Sequence, residues 1–171
     1  STPDRILLAQ VGSMRAAKQL QLNKEIILAA SELLQNNKLT PEFRVEALYN
    51  RSKAYLADQK VNDAVKDLQL LGKDTRTIYG AEAKYLLADI YYQAKNYEAA
   101  EKEILDFIEQ STPHAYWLAR SFILLSDVYV ALGKDFEARQ YLLSLKQNYQ
   151  ADDEITAMIN SRLDKLKIDN E

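Results

Sequence analysis

The chain contains no cysteine, one histidine, three prolines and four glycines in 171 residues. Without cysteine there is no thiol nucleophile, no disulfide and no thiolate metal site. A single histidine removes every multi-histidine metal site. So little Gly and Pro leaves few of the residues that the tight turns of a β-rich fold lean on. A basic excess is missing too: 22 Lys+Arg face 25 Asp+Glu, a net charge of −3. An electrostatic nucleic-acid binder would carry the opposite balance. No apolar run reaches the roughly 18 residues of a transmembrane helix, so no membrane insertion is expected. The start, Ser1-Thr2-Pro3-Asp4, has neither an initiator Met nor a signal peptide, and reads as an excised piece or a mature form. Neither a Gly-rich phosphate loop nor a Ser-centred nucleophile elbow occurs.

What is present is 47% apolar and 27% charged residues, the balance of a folded globular chain. The length suggests one domain, able to bury about 70% of its unfolded surface. Eleven tyrosines stand out. The prolines are periodic. Pro3, Pro41 and Pro113 each follow a threonine (Thr2, Thr40, Thr112), and they lie 38 and 72 residues apart. Thr at N-cap followed by Pro at N1 is a helix-start signal. A start without proline is expected near Thr77. Inside the copies, Tyr55, Tyr91 and Tyr129 fall 36 and 38 residues apart. The same spacing holds for Ser52, Ala88 and Ser126, for Ala64, Ala100 and Ala138, for Leu68, Ile104 and Leu142, and for Leu71, Phe107 and Leu145.

Within each copy the apolar residues recur at helical spacing, so each is an αα-hairpin of about 36 residues. The expected helices are 4–19, 23–36, 42–58, 62–72, 78–94, 97–110, 114–132, 135–149 and a last one over 153–168. Asp152 is the expected N-cap of the last helix. Its stripe of Ile155, Ile159, Leu163 and Leu166, with a polar reverse face, suits a terminal cap.

The columns resemble the tetratricopeptide repeat (TPR) family. Leu87, Ala88, Tyr91, Ala100 and Ile104 stand at its apolar, small, Tyr, Ala and apolar positions. Ser52, Tyr55, Ala64 and Leu68 match in the preceding copy, and Leu125, Ser126, Tyr129, Ala138 and Leu142 in the following one. The run Tyr91-Tyr92-Gln93-Ala94-Lys95-Asn96-Tyr97-Glu98-Ala99-Ala100 is similar to the family's turn between helices. There are departures. Arg51 replaces an apolar residue, large side chains (Leu71, Phe107, Leu145) replace a small one, and the repeats exceed the family's length of about 34 residues. The resemblance implies an all-α, right-handed solenoid in one domain, with a degenerate repeat over 3–39, repeats over 41–75, 77–111 and 113–149, and a capping helix over 152–168. The longer repeats and Gln/Asn-Tyr linkages are also similar to bacterial envelope repeat proteins, which gives a lean towards the periplasm or envelope.

By the same resemblance, the first helix of each pair lines a concave face. The inward positions are Glu46, Tyr49, Lys53, Leu56 and Ala57; then Glu82, Tyr85, Asp89, Tyr92 and Gln93; then Arg120, Ile123, Asp127, Val130 and Ala131. The candidate partner-binding residues are Tyr49, Lys53, Tyr85, Asp89, Tyr92, Gln93, Arg120, Ile123 and Asp127. Tyrosine offers broad contact at low entropic cost, which suits recognition. That face holds one Lys and one Arg among two Asp, two Glu and three Tyr, which fits a neutral or mildly basic extended segment, or a helix. The expected function is a non-catalytic scaffold for a protein or peptide, part of a larger protein, with no nucleic acid, cofactor or metal. The alternative is a structural, self-associating module of an envelope assembly.

Other residues have plainer roles in the sequence. His114 reads as a helix-start residue and Trp117 as interface packing. Asp152-Asp153-Glu154 lacks the alternating ligands and Gly bend of a calcium loop and reads as a helix N-terminus. Glu98, Glu101 and Glu103 read as a solvated helix face.

Overall fold

The computed structural model describes residues 2–168, apart from the side chains at its two ends. Thr2 and Pro3, expected as a cap pair, are among the side chains outside that description. The described residues form nine helices: α1 (Thr2–Gln19), α2 (Asn23–Leu34), α3 (Pro41–Ala57), α4 (Val61–Leu71), α5 (Ile78–Gln93), α6 (Tyr97–Glu109), α7 (Ala115–Ala131), α8 (Asp135–Asn148) and α9 (Ile155–Ile168). Each expected helix is present, with ends displaced by at most two residues. Contacts group the helices into two compact units, one up to Lys73 and one from Asp74 on.

Four helix pairs are closed by one turn. Gln21, Gln59, Lys95 and Gly133 all adopt the left-handed conformation, at φ between 56° and 73°. They are 38, 36 and 38 residues apart, which is the period of the repeat. After each, a backbone N–H reaches back to the last turn of the first helix: Leu22 to Ala17, Lys60 to Tyr55, Asn96 to Tyr91 and Lys134 to Tyr129, at 2.8–3.0 Å. This is the six-to-one bond of a Schellman ending, which satisfies carbonyls the helix leaves orphaned. The α1–α2 pair uses it as well, although its sequence lacks the signature residues of the other three.

The small-residue columns are the closest-packed points. Ser52, Ala64, Ala88, Ala100, Ser126 and Ala138 are all at most 1% exposed. Leu68, Ile104 and Leu142 lie beside them at 0–1%. In the second unit one core runs from Ala88 through Ile123, Val128 and Leu142 to Ile155, Ile159, Leu163 and Leu166 of α9. The apolar stripe expected for the last helix is therefore buried. In the first unit Leu7, Val11, Met14, Ala30, Leu33 and Ala47 form the main cluster. The tyrosine column divides: Tyr129 is buried, but Tyr55 and Tyr91 are only half-buried.

Arg51, at the otherwise apolar position, is answered by Asp67, which is 2% exposed. Nε and Nη2 reach its two carboxylate oxygens at 2.8 and 2.7 Å, and Nη1 donates to Ser31 Oγ at 3.0 Å. A bidentate pair thus stands in for an apolar contact.

The starts of helices show which signals hold. Thr40 Oγ1 accepts from Phe43 N–H at 3.4 Å with Pro41 at N1, and Thr77 Oγ1 accepts from Gly80 N–H at 2.9 Å. Thr112 departs from expectation. Its hydroxyl donates to the Thr75 carbonyl at 2.7 Å and accepts from His114 N–H at 3.2 Å, and α7 begins only at Ala115. The hydroxyl ties two loops together instead of capping a helix. Asp152 is likewise displaced by Asp153, whose Oδ1 accepts from Ile155 N–H at 3.0 Å.

The turn supplies a test. No heavy atom lies within 4 Å of a Cβ added at Gly133, so Gly133→Ala meets backbone strain alone. It is expected to cost about 1 kcal/mol, while Lys95→Gly is expected to gain up to about 1 kcal/mol, because αL penalises side-chain-bearing residues. Urea unfolding of both variants checks the pair of opposite signs.

Candidate functional site

The first helices of the pairs in the second unit, α5 and α7, line up their inward faces, and α9 follows them. Between these three helices lies a concavity of about 280 Å3. Tyr85, Asp89, Tyr92, Gln93, Arg120, Ile123 and Asp127 all line it, together with Met158 and Arg162 of α9. Seven of the nine candidate residues are therefore brought together. The other two, Tyr49 and Lys53, line a separate hollow of the first unit. A further hollow of about 420 Å3 shares Tyr92, Asp127 and Arg162 with the first and extends past Val130 and Ala131 to Lys165.

The seven residues do not share one environment. Ile123 is 1% exposed and belongs to the core under the concavity, because α9 packs over α7. Glu82, also on the expected inward face, is only 7% exposed. Asp127 accepts two bonds from Arg162, Nε at 2.7 Å and Nη2 at 2.8 Å. Asp89 accepts a long bond from Gln93 at 3.4 Å. Tyr92 packs against Tyr97, with ring centroids 5.7 Å apart. Burial, then the Asp127 charge, raises the Tyr92 phenol above its usual pKa, so it stays a neutral donor.

Arg120 is the centre of the polar wall. Its guanidinium lies 4.9 Å from the Tyr85 ring centroid, within cation–π range. Nη2 donates to Tyr85 Oη at 2.8 Å and Nη1 to Tyr116 Oη at 3.0 Å. Nε is buried without an acceptor. Burial alone would lower the Arg120 pKa, but the two phenol oxygens outweigh it and raise it. Tyr116 passes its own proton bond to Glu154, just before α9. That bond raises the Tyr116 pKa and holds the Glu154 carboxyl below the ordinary range. Trp117 packs against Tyr85 at 5.5 Å and edge-on to Tyr116 at 5.0 Å, the interface role expected of it. His114 sits at the N-cap position of α7, and its Nε2 lies 2.8 Å from the Arg76 carbonyl.

The acids expected to form a solvated face are partly engaged. Glu103 and Asp106 both bind Lys84, which is 9% exposed, and Glu101 accepts from Tyr129 Oη at 3.1 Å. Only Glu98 of the three expected acids is exposed. Across the described residues no group of three His, Asp or Glu is placed to hold a metal ion, and no helix is long and apolar enough to cross a membrane.

Sequence reasoning missed the contribution of α9. A signal existed: Arg162 lies 35 residues after Asp127, as Arg120 lies 35 after Tyr85. The separation is the same in both pairs, and α9 packs against both helices of the preceding pair.

Arg162→Gln is expected to loosen α9. The bond is part-buried, so its loss costs on the order of 1 kcal/mol. Amide exchange should quicken several-fold over residues 155–167 and stay unchanged over α1–α4, as read by hydrogen–deuterium exchange.

No protein-family model and no curated protein matches the sequence. Solved structures do. The chain is similar to the crystal structure of the nearly identical TPR-like repeats of a Podosopora anserina kinesin light chain. Identity is 17%, with 98% of this chain and 88% of that one covered at a TM-score of 0.65. A variant of the same protein gives 17% identity, 99% and 88% coverage and a TM-score of 0.67. MamA gives 18% identity, 92% and 94% coverage and a TM-score of 0.62. At these identities the likeness concerns the fold: the chain has an all-α, TPR-like helical-repeat fold.

Proposed function

We propose that the chain is a non-catalytic protein-interaction scaffold that holds an extended or helical segment of a partner in the α5–α7–α9 concavity. TPR-like neighbours support interaction scaffolding in general. The observation that carries the finer reading is the convergence of Tyr85, Asp89, Tyr92, Gln93 and Arg120 on one concave wall. The wall combines aromatic area, phenol hydroxyls, the Arg120 guanidinium and a half-buried acid, Asp89.

The charge of the wall narrows the ligand. Arg162 already neutralises Asp127. Asp89 is met by the neutral Gln93 amide, and Arg120 by the phenol oxygens of Tyr85 and Tyr116, so the wall presents one charge of each sign. A neutral or mildly basic segment can answer Asp89 while its backbone carbonyls face Arg120 and its backbone uses Gln93 and the phenols. Ile123 serves as floor rather than as a contact. An envelope setting rests on the sequence resemblance alone.

Tyr85 is a poor site for a test, because it packs on Trp117 and anchors Arg120. Asp89 and Gln93 are better, since they carry no core packing. A displayed random-peptide library selected on the wild-type chain should yield segments that bind in the low-salt range. The Asp89→Lys/Gln93→Glu variant should bind them at least about tenfold more weakly, with thermal unfolding unchanged. Selected peptides indifferent to both substitutions would contradict this placement.

A further inference from the structure

One helix face in the unit up to Lys73 is apolar and uncovered. On α1, Leu7, Val11 and Met14 are buried in the core. The opposite side carries Leu8, Gly12, Ala16 and Leu20, a row at four-residue spacing that forms one ridge of the helix. All four are exposed, Leu8 at 61% and Leu20 at 67%. Ala9 and Ser13, beside the row, are exposed as well. Of the charges that flank it, Arg15 is turned to Glu46 by two bonds of 2.7 and 2.8 Å, and Arg5 stands beyond its N-terminal end.

Gly12 sets this face apart. Glycine inside a helix is less stable than alanine. Nothing lies within 4 Å of a Cβ added at Gly12, so no contact inside the chain requires the missing side chain. A glycine on an open helix surface lets another backbone come close. The repeat shows what the face is shaped for. Ala9, Gly12 and Ala16 lie 38 residues before Ala47, Asn50 and Ala54. On α3 those three are 0–3% exposed, and Ala30, Leu33 and Ile26 of α2 pack there. The α2 helix of another molecule cannot do the same on α1, because those residues are already buried within its own unit.

We propose that α1 pairs with α1 of a second copy of this chain, antiparallel about a two-fold axis. The row reads large, small, small, large, so it complements itself when reversed, as a two-fold contact requires. Leu8 then meets Leu20 of the other copy, and Gly12 meets Ala16. The close approach at the small pair lets the leucines close over both ends. Antiparallel pairing also sets Arg5 by the carbonyl end of the other α1, the favourable sign for the helix dipole. One helix pair is a small interface, so the dimer belongs to the weak, concentration-dependent class. The pairing uses α1 alone and does not depend on the reading of the α5–α7–α9 concavity.

The test uses the full chain. Sedimentation equilibrium from about 10 µM to about 1 mM should show a reversible monomer–dimer exchange. Leu8→Glu/Leu20→Glu alters exposed side chains only and sets like charges against each other across the pair. It should weaken the dimer at least about tenfold, with circular dichroism and melting at dilution unchanged. Gly12→Ala gives a readout that a merely structural glycine would not: a higher melting temperature at dilution together with a weaker dimer. The chain has no cysteine, so single-cysteine variants read the register. Leu8→Cys mixed with Leu20→Cys should form the mixed disulfide. Neither variant should link to itself, since like positions lie about 18 Å apart along the pair. A wild-type chain that stays monomeric over the whole range would overturn the proposal and leave the face to a helix of another protein. So would a dimer indifferent to Leu8→Glu/Leu20→Glu, or cysteine variants that link to themselves and not to each other.

Discussion

Each helix pair depends on one closure: a single left-handed residue followed by an N–H that reaches back to the end of the first helix. Gln21, Gln59, Lys95 and Gly133 provide it in turn. Only one of the four is glycine, so three copies carry the strain of a side chain in the αL region. They tolerate it because the closure sets the second helix against the first at the small residues. Ala64, Ala100 and Ala138 can then pack against their partner helices with almost no exposed surface. A longer side chain in those columns would hold the helices apart and move every inward position of the copy.

The inward face that results is built largely from groups that satisfy one another. Arg162 meets Asp127, and Arg120 meets the phenols of Tyr85 and Tyr116. Glu154 closes the chain of bonds from Tyr116. Such a network holds its side chains in defined rotamers before any partner arrives, which lowers the ordering cost of binding. What it leaves to a partner is aromatic area, the half-buried Asp89 and the exposed Gln93 amide. A surface of this kind suits the proposed recognition of shape and backbone.

Most of the fold was legible because the repeat writes its packing positions at a constant spacing. The columns through Ala100, Ile104 and Ser126 are buried as their phase requires. Periodicity alone failed where a neighbouring element intervened. Ile123 has the inward phase, but α9 covers it and draws it into the core. Thr112 precedes a proline as Thr40 does, yet the Thr75 carbonyl captures its hydroxyl and the helix starts later. Arg51 broke the apolar pattern, and nothing near it in sequence identified Asp67, sixteen residues on, as its partner. The α9 contribution was carried by no signature residue, so Arg162 went unread. These misses share one cause. A period gives the direction of a side chain, while its partners come from other helices.

The proposed working surface of the second unit lies on α5, α7 and α9. A hydrogen–deuterium exchange footprint tests this most directly, taken with a library-selected peptide bound to the wild-type chain. Slowed exchange confined to α5, α7 and α9 is the predicted result. Protection centred on α6 and α8, with α5 and α7 unchanged, would contradict it.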